Sequence, residues 1–382
     1  MAAELLRLGE GAFASVHLTE SGLAVKYARK SLLCFLKQSS MALREKQALE
    51  TAQANGQPSQ FLARIRGTAQ NDCFLLLYMD AVLAADALAV DLSRLAGAAG
   101  AKRQVPATTV TWVASALCSG LAHLHVRGVA HRDVKPQNCV LHADGTPVLV
   151  DFGCARILDA NERSTSLVGT LPYSAPEMLS RNGHNAAVDW WSLGVLAFEL
   201  LTGVPPFYGP DTPGSGVAND VPLGCTHAEL VDAIKAARTA GGGIIDVRAL
   251  SSLSMLIAEP GMLPQELEDL LCRLLVYDDH VRMETATQWC AEHTAALVVD
   301  DAGALGRETW REGRANAATL LRMAVKQQRD AHNESPGDPN LITEERTLEE
   351  AWAAEERAAL LARADAAWAK NAESWQAAFT LF

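Results

Sequence analysis

The sequence predicts an α+β chain, with strands near its start, long apolar helices after them and a helical C-terminal extension. Three observations lead there. Near the start of the 382 residues a glycine-rich turn at 8–16 joins two expected strands, and the short apolar runs at 23–26 and 73–79 read as strands. Two apolar stretches of helical length follow, Thr109 to His125 and Val188 to Phe207. Beyond about residue 300 the pattern becomes Ala-, Glu- and Arg-rich and helical. The length suffices for two lobes and a tail.

The first element, Leu8-Gly9-Glu10-Gly11-Ala12-Phe13-Ala14-Ser15-Val16, is a glycine-rich turn between strands, where the backbone can approach phosphates closely. Alone it reads as an ordinary hairpin. Leu23-Ala24-Val25-Lys26 follows a Ser21-Gly22 turn and ends in one lysine. A charged helical stretch, Arg44 to Leu49, places Glu45 19 residues after Lys26. Cys73 to Met79 is too short for a helix and suits a buried strand. Ala84 to Lys102 is Ala/Gly-rich, a helix and a loop between lobes. Thr109 to His125 is a long helix ending near Gly128, and His123 and His125 on its apolar face read as core residues rather than metal ligands.

Next stand His131-Arg132-Asp133-Val134-Lys135-Pro136-Gln137-Asn138 and, 18 residues after Asp133, Asp151-Phe152-Gly153. A base, a cation and two metal-binding oxygens are the equipment of phosphoryl transfer, which needs positioning and charge neutralisation more than covalent chemistry. Between them Cys139-Val140-Leu141 and Val148-Leu149-Val150 flank Asp144-Gly145, a hairpin that returns both ends to one mouth.

These motifs, followed by Ala175-Pro176-Glu177, resemble those of protein kinases, with Lys135 marking the serine/threonine type. The resemblance covers about residues 5–295 and implies the two-lobed protein-kinase fold, the small lobe at about 5–80 and the large one at about 81–295, with an Ala-rich helical extension over 296–382. It implies ATP and Mg²⁺ as cofactors. ATP falls to Gly9, Glu10, Gly11, Ala12, Phe13, Ala14, Val16, Ala24, Lys26, Leu77 and Met79, with Ala14 where the family has a third glycine. Leu77 is the expected gatekeeper, and Tyr78 to Asp80 offer backbone bonds to the base. Lys26 pairs with Glu45, Glu50 being the alternative. Asp133 orients the acceptor hydroxyl, Lys135 neutralises the γ-phosphate, and Asn138 and Asp151 hold metal.

Ser166-Leu167-Val168-Gly169-Thr170 is similar to the activation segment of the AGC group, the relatives of cyclic-nucleotide-dependent kinases. It implies a regulatory phosphate on Ser166 paired with Arg132, with Thr165 as the alternative acceptor. Val188 to Phe207 is similar to that group's central helix, with Asp189 bracing the catalytic loop and Glu199 where basophilic relatives receive a substrate arginine. Gln137 replaces the glutamate that shares this task. Arg282 is the expected partner of Glu177. Residues 208–262 read as an insertion containing a helix near Ala228 to Ala237.

In the extension, Ser335 to Pro339 breaks two helical patterns, and Thr347 with Glu350 forms a capping box. Leu361, Trp368, Trp375 and Phe382 recur every seven residues, a stripe expected to pack on the protein's own body. Phe379-Thr380-Leu381-Phe382 also matches the FxxF motif with which AGC tails dock on the small lobe. A net charge of -12 argues against nucleic-acid or membrane-surface binding, and no apolar leader or spanning segment is evident, so a cytoplasmic or nuclear protein is expected. The eight cysteines show no CxxC pairing and read as reduced thiols. The expected partners are protein substrates and an upstream activating kinase. A catalytically weak pseudokinase and a small-molecule kinase are the rivals.

Overall fold

The computed structural model describes residues 6–10, 14–54, 56, 58–84, 89–99, 104–159, 162–207, 227–237, 245, 263–294, 297, 308–334, 348–380 and 382. The small lobe is a five-stranded antiparallel sheet of β1 (Leu6–Glu10), β2 (Ala14–Leu18), β3 (Leu23–Arg29), β4 (Ile65–Gln70) and β5 (Phe74–Asp80), in the order β1-β2-β3-β5-β4. Gly22, at φ 79°, makes the tight turn into β3. Helices α1 (Lys30–Phe35) and α2 (Ser39–Gln53) follow.

Two strands run further than the sequence suggests. Lys26 is not a strand end, because β3 continues to Arg29 opposite Phe74. Similarly, β5 persists through Asp80, which pairs with Leu23 and donates its N–H to Arg64 O at 3.0 Å. The backbone expected at the base therefore belongs to the sheet, and the connection to the large lobe begins at Ala81. Helix α1 went unforeseen, since neither a side-chain cap nor a clear period marks it.

The large lobe is built on α3 (Leu92–Ala98), α4 (Ala107–His125), α5 (Pro176–Leu179), α6 (Ala187–Thr202), α7 (His227–Ala236), α8 (Gln265–Leu274) and α9 (Asp279–Thr294). Asp91 caps α3 through Ser93 N and Arg94 N, at 2.9 and 3.1 Å. Gly203, at φ 84°, ends α6 in the left-handed conformation that a β-carbon disfavours. Most of α4 and nearly all of α6 is buried, including Trp112, Trp190, Trp191 and Phe198, so these two helices are the lobe's core. Beside them lie the short pair β6 (Val129–Ala130) and β9 (Arg156–Ile157) and the expected hairpin β7 (Cys139–Leu141) and β8 (Pro147–Leu149).

The extension supplies α10 (Glu308–Glu334) and α11 (Leu348–Gln376). Helix α10 packs along α4 and α3. Its Gly313 lies so close to Thr108 and Trp112 that a β-carbon would collide with the Thr108 carbonyl, and Gly145 of the hairpin meets Arg314 and Ala318 in the same way. Trp310 is fully buried, and Arg314 pairs with Asp144. Helix α11 packs on α1, where Asp365 accepts from Arg29 Nη1 at 2.8 Å and Ser31 Oγ at 2.6 Å. The breaker at 335–339 and Thr347 of the capping box lie outside the described residues, as does most of the 208–262 insertion apart from α7.

Candidate active site

Directly opposed residues of antiparallel strands share a face, so Val16, Lys26, Leu77 and Thr68 form one row across the sheet. Ala24 stands opposite Met79, beside that row. From there Lys26 Nζ reaches Glu45 Oε1 at 2.6 Å and Asp151 Oδ1 at 2.8 Å. Glu45 is buried on α2 whereas Glu50 is exposed, which settles the choice between them. Burial by itself would lower the Lys26 pKa, but the two carboxylates outweigh it and hold the ammonium charged. In return Lys26 holds the Asp151 carboxyl down at about 2. Asp151 occupies the left-handed region at φ 58°, a conformation Asp tolerates better than most residues.

The catalytic loop is clamped from behind. Asp189, buried on α6, accepts from His131 N at 2.8 Å and Arg132 N at 2.6 Å, with His125 Nε2 2.8 Å from the same carboxylate. His123 contacts Ala52 O at 2.8 Å. Both histidines thus have partners in the core.

Asp133 Oδ1 accepts from Thr170 Oγ1 at 2.8 Å, while Oδ2 meets Lys135 Nζ and Asn138 Nδ2, each at 2.9 Å. Lys135 Nζ also donates to Thr170 Oγ1 at 2.7 Å. These bonds fix the carboxylate at the cleft floor. Gly169 makes the close approach possible: at φ 87°, its β-carbon would strike Arg132 O. Asn138 donates its amide nitrogen to Asp133 O at 2.8 Å as well as to the carboxylate, so these bonds leave its amide oxygen unused.

In the activation segment Arg132 Nη1 donates to Ser166 Oγ and to Ser164 Oγ, both at 3.0 Å. Burial pushes the Arg132 guanidinium down to about 10. Ser164 escaped the sequence reading because the family pattern centres on Ser166; its only signal was proximity to that residue. Thr165 is exposed, whereas Ser164 is buried. Glu177 bonds Arg282 of α9 in a buried pair that ties the segment to the lobe. Tyr173 donates its hydroxyl to Glu199, so the carboxylate expected to meet a substrate arginine already has a partner.

The tail ends on the small lobe. Phe379 is buried against Leu33, Ala42 and Leu75, with Trp368 and Phe382 beside it. Phe382 O accepts from Lys46 Nζ at 2.5 Å and Thr68 Oγ1 at 3.1 Å, and Phe379 O from Gln70 Nε2 at 3.2 Å. The structure therefore places the FxxF aromatics and half of the heptad stripe on the protein's own body; Leu381 is not described. Gly11, Ala12 and Phe13 of the glycine-rich turn also lie outside the described residues. Gly9 and Glu10 end β1, while Ala14 opens β2 opposite Ala28.

With this geometry in view, residues 3–294 match the profile of the protein kinase domain. Serine/threonine-protein kinase AtPK1/AtPK6 of Arabidopsis thaliana is 48% identical over 93 residues, 24% of this chain and 20% of that protein. cGMP-dependent protein kinase 2 of Mus musculus is 32% identical over 209 residues, 53% of this chain and 26% of that protein. A putative ribosomal protein S6 kinase alpha-1 of Caenorhabditis elegans is 34% identical over 212 residues, 54% of this chain and 26% of that protein. The chain spans about a quarter or less of the length of these curated relatives. Among the described residues, no helix is long and apolar enough to cross a membrane.

Proposed function

The chain belongs to the protein kinase domain family, of the serine/threonine type, and from that premise we propose that it transfers the γ-phosphate of ATP to serine and threonine hydroxyls of protein substrates. The observation that carries this reading is the unbroken line of contacts from Glu45 through Lys26 to Asp151, together with the Asp133 carboxylate held by Lys135, Asn138 and Thr170.

The residues present fit ATP with Mg²⁺. Among the described residues no group of three or more His, Cys, Asp or Glu forms a metal cage. The Asn138 amide oxygen and the ionised Asp151 carboxylate instead form a sparse, hard-oxygen donor pair, suited to a cation that completes its shell with phosphates and water. When bound, Mg²⁺-ATP supplies the transferable phosphoryl group and the charge that activates it. The chain does the rest. Lys26, kept charged and aimed by Glu45, positions phosphate oxygens, and Val16 and Leu77 of its row, with the adjacent Ala24 and Met79, supply apolar surface for a base. Asp133 takes the acceptor hydroxyl's hydrogen bond, and Lys135, a hydrogen bond away, neutralises developing charge.

Phosphorylation of Ser166 by an upstream kinase, pairing with Arg132, is the switch this reading adds. The Tyr173–Glu199 bond and Gln137 favour substrates that do not depend on arginine near the acceptor. The decisive experiment is Mg²⁺-ATP turnover on a peptide library, wild type beside Asp133→Asn, which should lower kcat by at least about 10²-fold. Tight ATP binding with no turnover in protein phosphorylated on Ser166 would replace the enzyme with a nucleotide-binding scaffold.

A further inference from the structure

The activation segment holds more than the Ser166–Arg132 pair. Arg132 is buried, and its guanidinium donates to the Cys154 carbonyl, at 2.9 Å from Nε, and to the hydroxyls of Ser164 and Ser166. Among the described residues no carboxylate stands within ion-pair distance of it. The second guanidinium of the cluster is Arg156 on β9. Its Nη1 donates to Ser164 Oγ at 3.3 Å and its Nη2 to Glu162 Oε1 at 2.6 Å. Ser164 Oγ and Ser166 Oγ are 2.9 Å apart, so Ser164 joins the two cations and Ser166 stands one hydroxyl from Arg156.

The backbone around these groups is fixed on its other side. Ser164 and His184 exchange N–H to carbonyl bonds at 2.8 Å in both directions, and Arg163 Nη2 bonds Gly183 O at 2.8 Å and Asp279 Oδ2 at 2.6 Å. Ser166 thus already bonds Arg132 while unmodified, and of the two guanidiniums only that of Arg156 holds a carboxylate among the described residues. A phosphate on Ser166 would add about -1.5 to -2 charge here. It would satisfy Arg132 first, and it would compete with Glu162 for Arg156.

We propose that Glu162 is an internal counter-anion of the phosphate site: it holds Arg156 and orders the activation segment in the unmodified protein, and phosphate on Ser166 takes its place. The inference rests on the kinase reading and on Ser166 as the acceptor. It gives the unphosphorylated enzyme a basal activity set by Glu162, and it makes phosphorylation an exchange of anions rather than a folding of the segment.

The experiment uses the full chain, phosphatase-treated and checked by intact mass, as wild type, Glu162→Gln, Glu162→Asp and Glu162→Gln with Ser166→Ala. Hydrogen exchange of peptides covering 156–170 reads order without requiring turnover. Losing this partly exposed ion pair should speed exchange in the unmodified Glu162→Gln protein about two- to fivefold, and lower its basal peptide phosphorylation comparably. Glu162→Asp should keep most of the protection. The double variant should match Glu162→Gln, and stoichiometric phosphorylation of Ser166 should erase the difference from wild type. Equal exchange in unmodified wild type and Glu162→Gln overturns the proposal, and so does a difference that survives phosphorylation undiminished. Altered exchange with no turnover in any form would overturn the kinase reading while leaving the Glu162 clamp in place.

Discussion

Helix α10 meets the large lobe through Gly313, Ala317 and the buried Trp310, backbone close to backbone, whereas α11 meets the small lobe through Arg29, Ser31 and Asp365. Its largest apolar burial comes past the end of α11, at Phe379, beside Trp368 of the helix itself. The two helices also rest on different ground. Helix α10 covers α3, α4 and a hairpin tip, none of which supplies a catalytic side chain. The tail that follows α11 touches α2 at Ala42 and Lys46, the second adjacent to Glu45, and β4 at Thr68 and Gln70. The first contact holds the fold together; the second supports the geometry of the site. Stability and activity should therefore respond separately to changes in the two.

The largest expected effect tests the first half. Trp310→Ala should cost about 3–5 kcal/mol of unfolding free energy in denaturant titration, as for other fully buried aromatics, while activity per folded molecule stays near wild type. A large fall in specific activity with little loss of stability would break the comparison. Phe379→Ala tests the second half. Weakened support of α2 worth about 1.4 kcal/mol at the Glu45–Lys26 pair would lower kcat/KM about tenfold in steady-state kinetics. The smallest effect belongs to Asp365→Asn. Its half-exposed pair with Arg29 should contribute within about 1 kcal/mol, visible as a slight shift in melting temperature at low salt and none at high salt.

The sequence revealed the chemistry more readily than the architecture that carries it. Lys26, Asp133, Asn138 and Asp151 lie in short local patterns, and the interval from Lys26 to Glu45 is fixed by one strand and one helix. The heptad of Trp368 and Phe382 announced a buried stripe, but its destination depended on pairing across 336 residues, as with Lys46 and Phe382, which no local period encodes. The contact of α10 with α4 was hidden for the same reason: glycine and alanine on an Ala-rich helix look like propensity until a second helix lies against them. The end of β5 was misjudged because a continuous apolar run carries no mark of where pairing stops, and Asp80 stays in the sheet through its bond to Arg64. Glu162 and Ser164 contact Arg156 and Arg132, which local patterns do not connect to them.

The close seating of Gly313 on Thr108 bears on how this protein can be divided. Residue 294, where the kinase profile ends, is not where the large lobe ends, since the outer faces of α3 and α4 are finished by α10. A chain cut there would present the Trp112 side of α4 to solvent as a continuous apolar patch, and such patches drive self-association. Truncation at 294 should then yield aggregates in size-exclusion chromatography, whereas a cut after residue 334 should leave a soluble, foldable unit.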